Sequence, residues 1–133
     1  MNRERLEQLT PAALLLDRRV LEADPVRRTV RLGFTARPEF LNRHGTVQGG
    51  LLAAMLDSTT AIAVLATLAD TSTALTTELH VSFVRPASAG TLTGIGRVVE
   101  ATEREARSEA DLLDGTGRLV ARAEAVLRIM PRR

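Results

Sequence analysis

Gly50-Leu51-Leu52-Ala53-Ala54-Met55-Leu56-Asp57-Ser58-Thr59-Thr60-Ala61-Ile62-Ala63-Val64-Leu65-Ala66-Thr67-Leu68-Ala69 is the stretch on which the fold turns. From about Val47 to Leu68 the chain consists of Ala, Leu, Met and small polar residues, with Gly only at its start and no Pro. That composition predicts a helix of about five or six turns. Leu52, Met55, Leu56 and Ala63 mark one face, yet Leu51, Ala54, Ala61, Leu65 and Leu68 cover much of the rest. A helix apolar all round is buried in a protein core or in a bilayer. Its length would suffice for a bilayer. Seven Leu, Ile and Val residues contribute about −0.3 to −0.6 kcal/mol each to insertion, however, and Asp57 alone costs about +2.5 to +3.5. The two cancel before Ser58, Thr59, Thr60 and Thr67 are counted, so the helix belongs in a core.

The flanking sequence supplies what wraps it. After Thr71-Ser72 the period changes to two. Leu75 to Arg85, Thr91 to Glu100, Arg104 to Leu113 and Arg118 to Met130 are strand-length runs separated by Pro86 to Gly90, Ala101 to Glu103 and Asp114-Gly115-Thr116-Gly117. In the last two runs Ala106, Ser108, Ala110 and Leu112 oppose Glu105, Arg107, Glu109 and Asp111, and Leu119, Ala121, Ala123, Ala125, Leu127 and Ile129 form a second apolar row. Such alternation belongs to antiparallel strands with one wet face. Upstream, Glu4 to Leu9 suits a short amphipathic helix, Leu14 to Glu22 and Arg27 to Phe34 read as a hairpin joined by Ala23 to Val26, and Ala36 to Thr46 reads as a loop. One helix needing burial and one sheet offering an apolar face imply an α+β arrangement, a sheet wrapped around a central helix.

Composition narrows the chemistry. The 133 residues have the length of one domain, 1–133, with 44% hydrophobic residues to build its core. All 18 cations are Arg against 16 carboxylates, and there is no Lys, Cys, Trp or Tyr. Without Cys there is no disulfide framework, thiol nucleophile or thiolate metal site, and without Lys no Schiff base. Two His leave a multi-His metal centre without ligands, so no metal and no cofactor is expected. A basic stripe with stacking aromatics is missing, which argues against nucleic acid as a partner. Met1 to Leu9 lacks the apolar core of a signal peptide, so the expectation is a cytoplasmic protein without a membrane partner. Gly94-x-Gly96 leads into a strand-like run and not a helix, against a dinucleotide loop.

Two features could carry chemistry. Asn42-Arg43-His44-Gly45-Thr46-Val47-Gln48-Gly49-Gly50 runs straight into the helix, where free backbone N–H groups unobstructed at Gly49 and Gly50 suit a carbonyl oxygen or an anion. Asp57 is a carboxylate on an otherwise apolar helix, an expensive placement. Eight residues separate Gly49 from Asp57, roughly 12 Å along the axis, beyond the reach of one Asp side chain. Two copies about a two-fold axis, Gly49 of one facing Asp57 of the other, could grip one reacting group. An active site here therefore implies a homodimer.

Asn42-x-x-Gly45-x-x-Gln48-Gly49-Gly50, then Asp57, then Thr76-Thr77-Glu78-Leu79-x-Val81-x-Phe83-x-Arg85-Pro86-Ala87 and a closing Gly115-x-x-x-Val120-Ala121 resemble the hotdog-fold acyl-CoA thioesterases of the phenylacetate-pathway (PaaI-like) type. The resemblance runs from about Pro11 to Met130. It implies a helix wrapped by a long antiparallel sheet, a dimer through a continuous sheet that often pairs into a tetramer, and metal-independent hydrolysis of acyl-CoA, with coenzyme A present only as part of the substrate.

By position, the resemblance makes Gly49 the residue whose N–H polarises the thioester carbonyl, and Asp57 of the partner subunit the carboxylate that attacks it or activates water. It gives Asn42 the orientation of water or thioester, and Thr76 a hydroxyl that assists the carboxylate. Gly50, Met55 and Phe83 are expected at the acyl group, and Arg85 and Arg104 at the CoA phosphates. Gln48 is a departure, since many relatives carry His there, and an amide donates a hydrogen bond but does not titrate near neutral pH. That substitution keeps open a non-catalytic acyl-CoA-binding hotdog protein. A hydratase or dehydratase would want a His beside its acid, which the helix does not supply.

Overall fold

The computed structural model describes all 133 residues. Helices α1 (Arg3–Glu7) and α2 (Pro11–Leu15) lead into strands β1 (Arg19–Asp24) and β2 (Thr29–Ala36). A 3-10 turn at Pro38–Phe40 and a loop precede the long helix α3 (Gly49–Leu65). Strands β3 (Ser72–Phe83), β4 (Gly90–Ala101), β5 (Glu105–Leu113) and β6 (Leu119–Pro131) follow.

All six strands form one antiparallel sheet in the order β1-β2-β4-β5-β6-β3, so β1 and β3 carry its two edges. The two apolar rows expected from the alternation are the inner face: Ala106, Ser108, Ala110 and Leu112 of β5 and Ala121, Ala123, Ala125 and Leu127 of β6 are all buried. Helix α3 lies against that face and packs on β2 through β6. Met55, Leu56, Ala63 and Val64 of the helix join Leu32, Phe34, Leu92 and Leu127 of the sheet in one core of 26 buried residues. This is the arrangement that the resemblance implied.

Helix and sheet approach closely because β4 offers no side chains beneath the helix middle. A Cβ on Gly94 would sit 2.3 Å from Thr59 Oγ1, and one on Gly96 would sit 2.8 Å from the Thr59 carbonyl oxygen. Gly94-x-Gly96 is thus a packing notch. The polar groups sealed in this layer are paired, as burial demands. The Thr59 and Thr60 hydroxyls donate to the carbonyls of Met55 and Leu56 at 2.8 and 3.0 Å. Ser108 Oγ reaches the Thr60 carbonyl at 3.0 Å, tying β5 to the helix.

Several boundaries differ from the sequence reading, each for a local reason. Helix α3 begins at Gly49 and not at Val47, because Val47 forms a bridge with Leu41 and donates its N–H to Ala87 O at 2.9 Å. Leu14 and Leu15 are helical and not extended: Thr10 caps Ala13 N–H at 3.2 Å and Pro11 holds the first helical position. The first helix ends at Glu7, short of Leu9, after an Asn2 cap. The hairpin turn extends to Arg28 at φ 59°, beyond Val26, and Asp24 Oδ1 accepts from Val26 N and Arg27 N.

Arginines stitch the amino-terminal segment to the body. Arg5 donates to the carbonyls of Ala69 and Ser72, Arg18 to those of Leu6 and Gln8, and Arg37 to that of Leu14. No helix is long and apolar enough to cross a membrane.

Candidate active site

The loop before α3 is held by its own side chains. Asn42 Oδ1 accepts from His44 N at 2.9 Å and Thr46 N at 3.2 Å, while Asn42 Nδ2 donates to Thr46 Oγ1 at 3.0 Å. Gly45 takes φ 77°, a left-handed conformation that glycine adopts without strain. Gln48 N–H donates to Phe40 O at 2.8 Å, and its carbonyl accepts from Leu51 and Leu52, opening the helix. The Gln48 side chain is exposed and makes no capping bond. Gly49 and Gly50 N–H donate to no group of the protein, so both point outward at the positive end of a 17-residue helix.

A groove of about 300 Å³ lies beside this helix start, lined by Val47, Gly49, Leu52, Phe83, Val84 and Pro86 among others. The Phe83 ring forms one wall. Its Cε1 and Cζ lie 3.3 Å from where a Cβ on Gly49 would stand, and the residue is 57% exposed. Gly50 is exposed with open space above it.

Asp57 stands two turns further along α3, partly buried. Thr76 Oγ1 donates to its Oδ1 at 2.8 Å, and no Arg comes within ion-pair range of it. No cation of the chain compensates this helix carboxylate. Thr76 reaches it because β3 carries a bulge: Thr76 opposes Leu127 and Glu78 opposes Val126, leaving Thr77 as the extra residue.

The remaining sequence candidates divide. Met55 does not line an open groove. It is fully enclosed in the core of the single chain. Arg85 Nη1 donates to Leu119 O at 2.6 Å beside the groove. Arg104 lies at the opposite end of β3 and β6, beside Ser72 and Arg128, so one chain does not bring these two arginines together. Nor does it bring Gly49 to Asp57. His44 is exposed in the loop, and His80 lies on the outer sheet face. A larger hollow, about 520 Å³, opens on that outer face among Glu78, His80, Arg107, Glu109 and Glu124, on the side of the sheet away from the helix.

Residues 44–121, from the helix entry into β6, match the family model described as Thioesterase superfamily. The chain belongs to this superfamily. A protein of Saccharolobus solfataricus named as an esterase is 30% identical over 108 residues, 81% of this chain and 75% of that one. Among solved structures, a phenylacetic acid degradation-related protein of Ralstonia eutropha JMP134, described as a thioesterase, is 36% identical. It aligns over 91% of each chain with a TM-score of 0.88. The E. coli PaaI protein from the phenylacetic acid degradation operon shares the fold at a TM-score of 0.87 and 20% identity, over 97% of this chain and 91% of that one. Within the superfamily match lie the open helix start, Asp57 and Thr76.

Proposed function

We propose that this superfamily member hydrolyses an acyl- or aryl-CoA thioester to the free acid and CoA at a site shared by two chains. The observation that carries the reading is Asp57, a helix carboxylate with one hydroxyl partner and no cation, on the same helix whose first two N–H groups are free. Strand β3 is a sheet edge of 12 residues, a template for a second copy. Along it, Thr76 marks the position of Asp57 and Phe83 that of Gly49. Antiparallel pairing of two β3 edges about an axis at His80 would set Leu79 opposite the partner's Val81 and, with Thr77 as the extra residue, Thr76 opposite the partner's Phe83. Asp57 would then face the partner's Gly49, as the spacing along the helix requires. Pairing of dimers into a tetramer is compatible with this arrangement.

In such a site the thioester carbonyl oxygen accepts from Gly49 N–H, where negative charge developing in the transition state meets the positive helix end. Asp57 Oδ2 attacks the carbonyl carbon or takes a proton from an attacking water. Thr76 holds Oδ1 and so fixes which oxygen is free. The C–S bond breaks, CoA leaves as thiol, and water supplies the acid's oxygen and both protons. Polarisation by backbone N–H makes a metal unnecessary. Asn42 holds the loop and keeps one Nδ2 proton for a water or the substrate. Arg85 of one chain and Arg104 of the other are the candidates for the CoA phosphates. The relative related to phenylacetic acid degradation makes aryl thioesters the first to try.

The test is thiol release from a panel of acyl-CoAs, read with a thiol-reactive dye; a chain without Cys adds no background. The parent is expected to turn over at least one thioester, and Asp57→Asn to lose about 10²-fold or more. A folded dimer that binds CoA yet releases no thiol from aliphatic or aryl thioesters would instead establish the binding protein that Gln48 allows.

A further inference from the structure

Successive side chains of a strand point to opposite faces of the sheet. Leu79 and Val81 pack on the core and Phe83 touches the helix start, so the odd positions face inward in the second half of β3. An uninterrupted pleat would carry that parity back through Thr77 and Leu75, and would send Thr76 out to the face that holds His80. The opposite is found. Ala74 packs on the core, Thr76 bonds Asp57, and Leu75 is 56% exposed. The parity changes at Thr77, the extra residue between the Thr76–Leu127 and Glu78–Val126 pairs. Thr77 Oγ1 donates to Val126 O at 3.1 Å, a side-chain bond that anchors the extra residue to β6.

We infer that Thr77 is a positioning residue of the active site: its hydroxyl anchors the bulge that turns Thr76 toward Asp57 while leaving Phe83 over Gly49. The inference rests on the thioesterase reading above. Thr77 is exposed, and its role here is to act through Thr76. One extra residue lets a single edge strand serve two points of α3 whose required positions along β3 differ in parity.

The experiment compares Thr77→Val, which keeps the branched shape but loses the donor, with Thr77→Ser, which keeps it. Thr76→Val and the double variant complete a cycle, and Asp57→Asn runs in parallel. Thr77→Val is expected to lower kcat roughly five- to tenfold with KM within about twofold, the loss that a loosened hydrogen bond to a carboxylate gives. Thr77→Ser should restore kcat to within about twofold of the parent. In the Thr76→Val background Thr77→Val should change kcat by less than about twofold, because its effect passes through Thr76. A parent-like kcat for Thr77→Val beside an inactive Asp57→Asn overturns this inference alone, as does an undiminished loss in the Thr76→Val background. Full activity in Asp57→Asn overturns the underlying reading, and this inference with it.

Discussion

Replacing Gly94 by Ala tests the closeness of helix and sheet on which the site's geometry depends. The new Cβ would stand 2.3 Å from Thr59 Oγ1, 3.1 Å from Thr59 Cγ2 and 3.2 Å from Phe34 Cε2. The hydroxyl has to move, which breaks its 2.8 Å bond to Met55 O at a cost of about 1 kcal/mol. Crowding adds about 1–3 kcal/mol, offset by about 0.4–1 kcal/mol from the stiffer unfolded chain. The net destabilisation is about 1–3.6 kcal/mol. For 133 residues an unfolding entropy near 0.28 kcal/mol/K converts this to about 4–13 °C in Tm.

Gly96→Ala provides the contrast, because its Cβ meets the Thr59 carbonyl oxygen at 2.8 Å, a backbone atom. Trimming the opposing side chain with Thr59→Ala should therefore bring the cost of Gly94→Ala to about 1 kcal/mol or less, and relieve that of Gly96→Ala only in part, because the 3.0 Å contact with Thr59 Cγ2 goes but the 2.8 Å clash with the carbonyl oxygen stays. Thermal melts of the six proteins decide it. Equal rescue of both glycines, or a Gly94→Ala variant melting within about 2 °C of the parent, would refute the notch.

Asp114 gives a pH prediction. The Thr116 hydroxyl and the Arg118 N–H, with the Thr116 N–H beside them, hold its carboxyl down to about 2 from an ordinary 3.8. A depressed folded value stabilises above the unfolded one and fades as pH falls through the folded one. The Tm deficit of Asp114→Ala should thus be full above about pH 4 and shrink toward pH 2, and a pH-independent deficit would contradict this. Thr76→Val should lower kcat about tenfold with little change in Tm, because it strips Asp57 of its one hydrogen bond in a partly open site; parallel kinetics and melts would expose a merely structural role. Since the helix-start donors are backbone N–H groups, Gln48→His should leave turnover within about threefold and add an inflection near pH 6.5. A gain of about 10² would instead move the carbonyl contact to the side chain at 48.

Most of the fold was legible because burial and periodicity report the same thing. The all-apolar helix asked for a wrapping sheet, and the Ala-rich rows of β5 and β6 named its inner face. What failed was local and cooperative. Thr10-Pro11 signals a helix start, yet α2 is only five residues long, too short to show a period. Val47 has a helix former's surroundings, but a bridge to Leu41 outweighs them. Of the candidate site, Gly49 and Asp57 stand out by their spacing and Thr76 by the resemblance, and the Thr76–Asp57 bond joins two of the three. Met55 is enclosed in the core of the single chain, and because the helix is apolar on every side its sequence does not tell a core residue from a groove residue. The bulge at Thr77 did leave a trace: Thr76 facing Asp57 and Phe83 facing Gly49 stand seven residues apart, an odd number that one pleat does not satisfy.

The arginine stitches have a chemical consequence beyond the joints they make. A guanidinium bridges two carbonyls with a fork that an ammonium lacks, and it remains protonated at any pH the protein meets. Guanidinium is also inert toward acyl transfer, whereas lysine amines and cysteine thiols accept acyl groups readily. With no Lys and no Cys anywhere in the chain, an acyl thioester meets no side-chain amine or thiol to modify. The cations that fasten Arg5, Arg18 and Arg37 to the backbone are thus ones that do not themselves take up acyl groups.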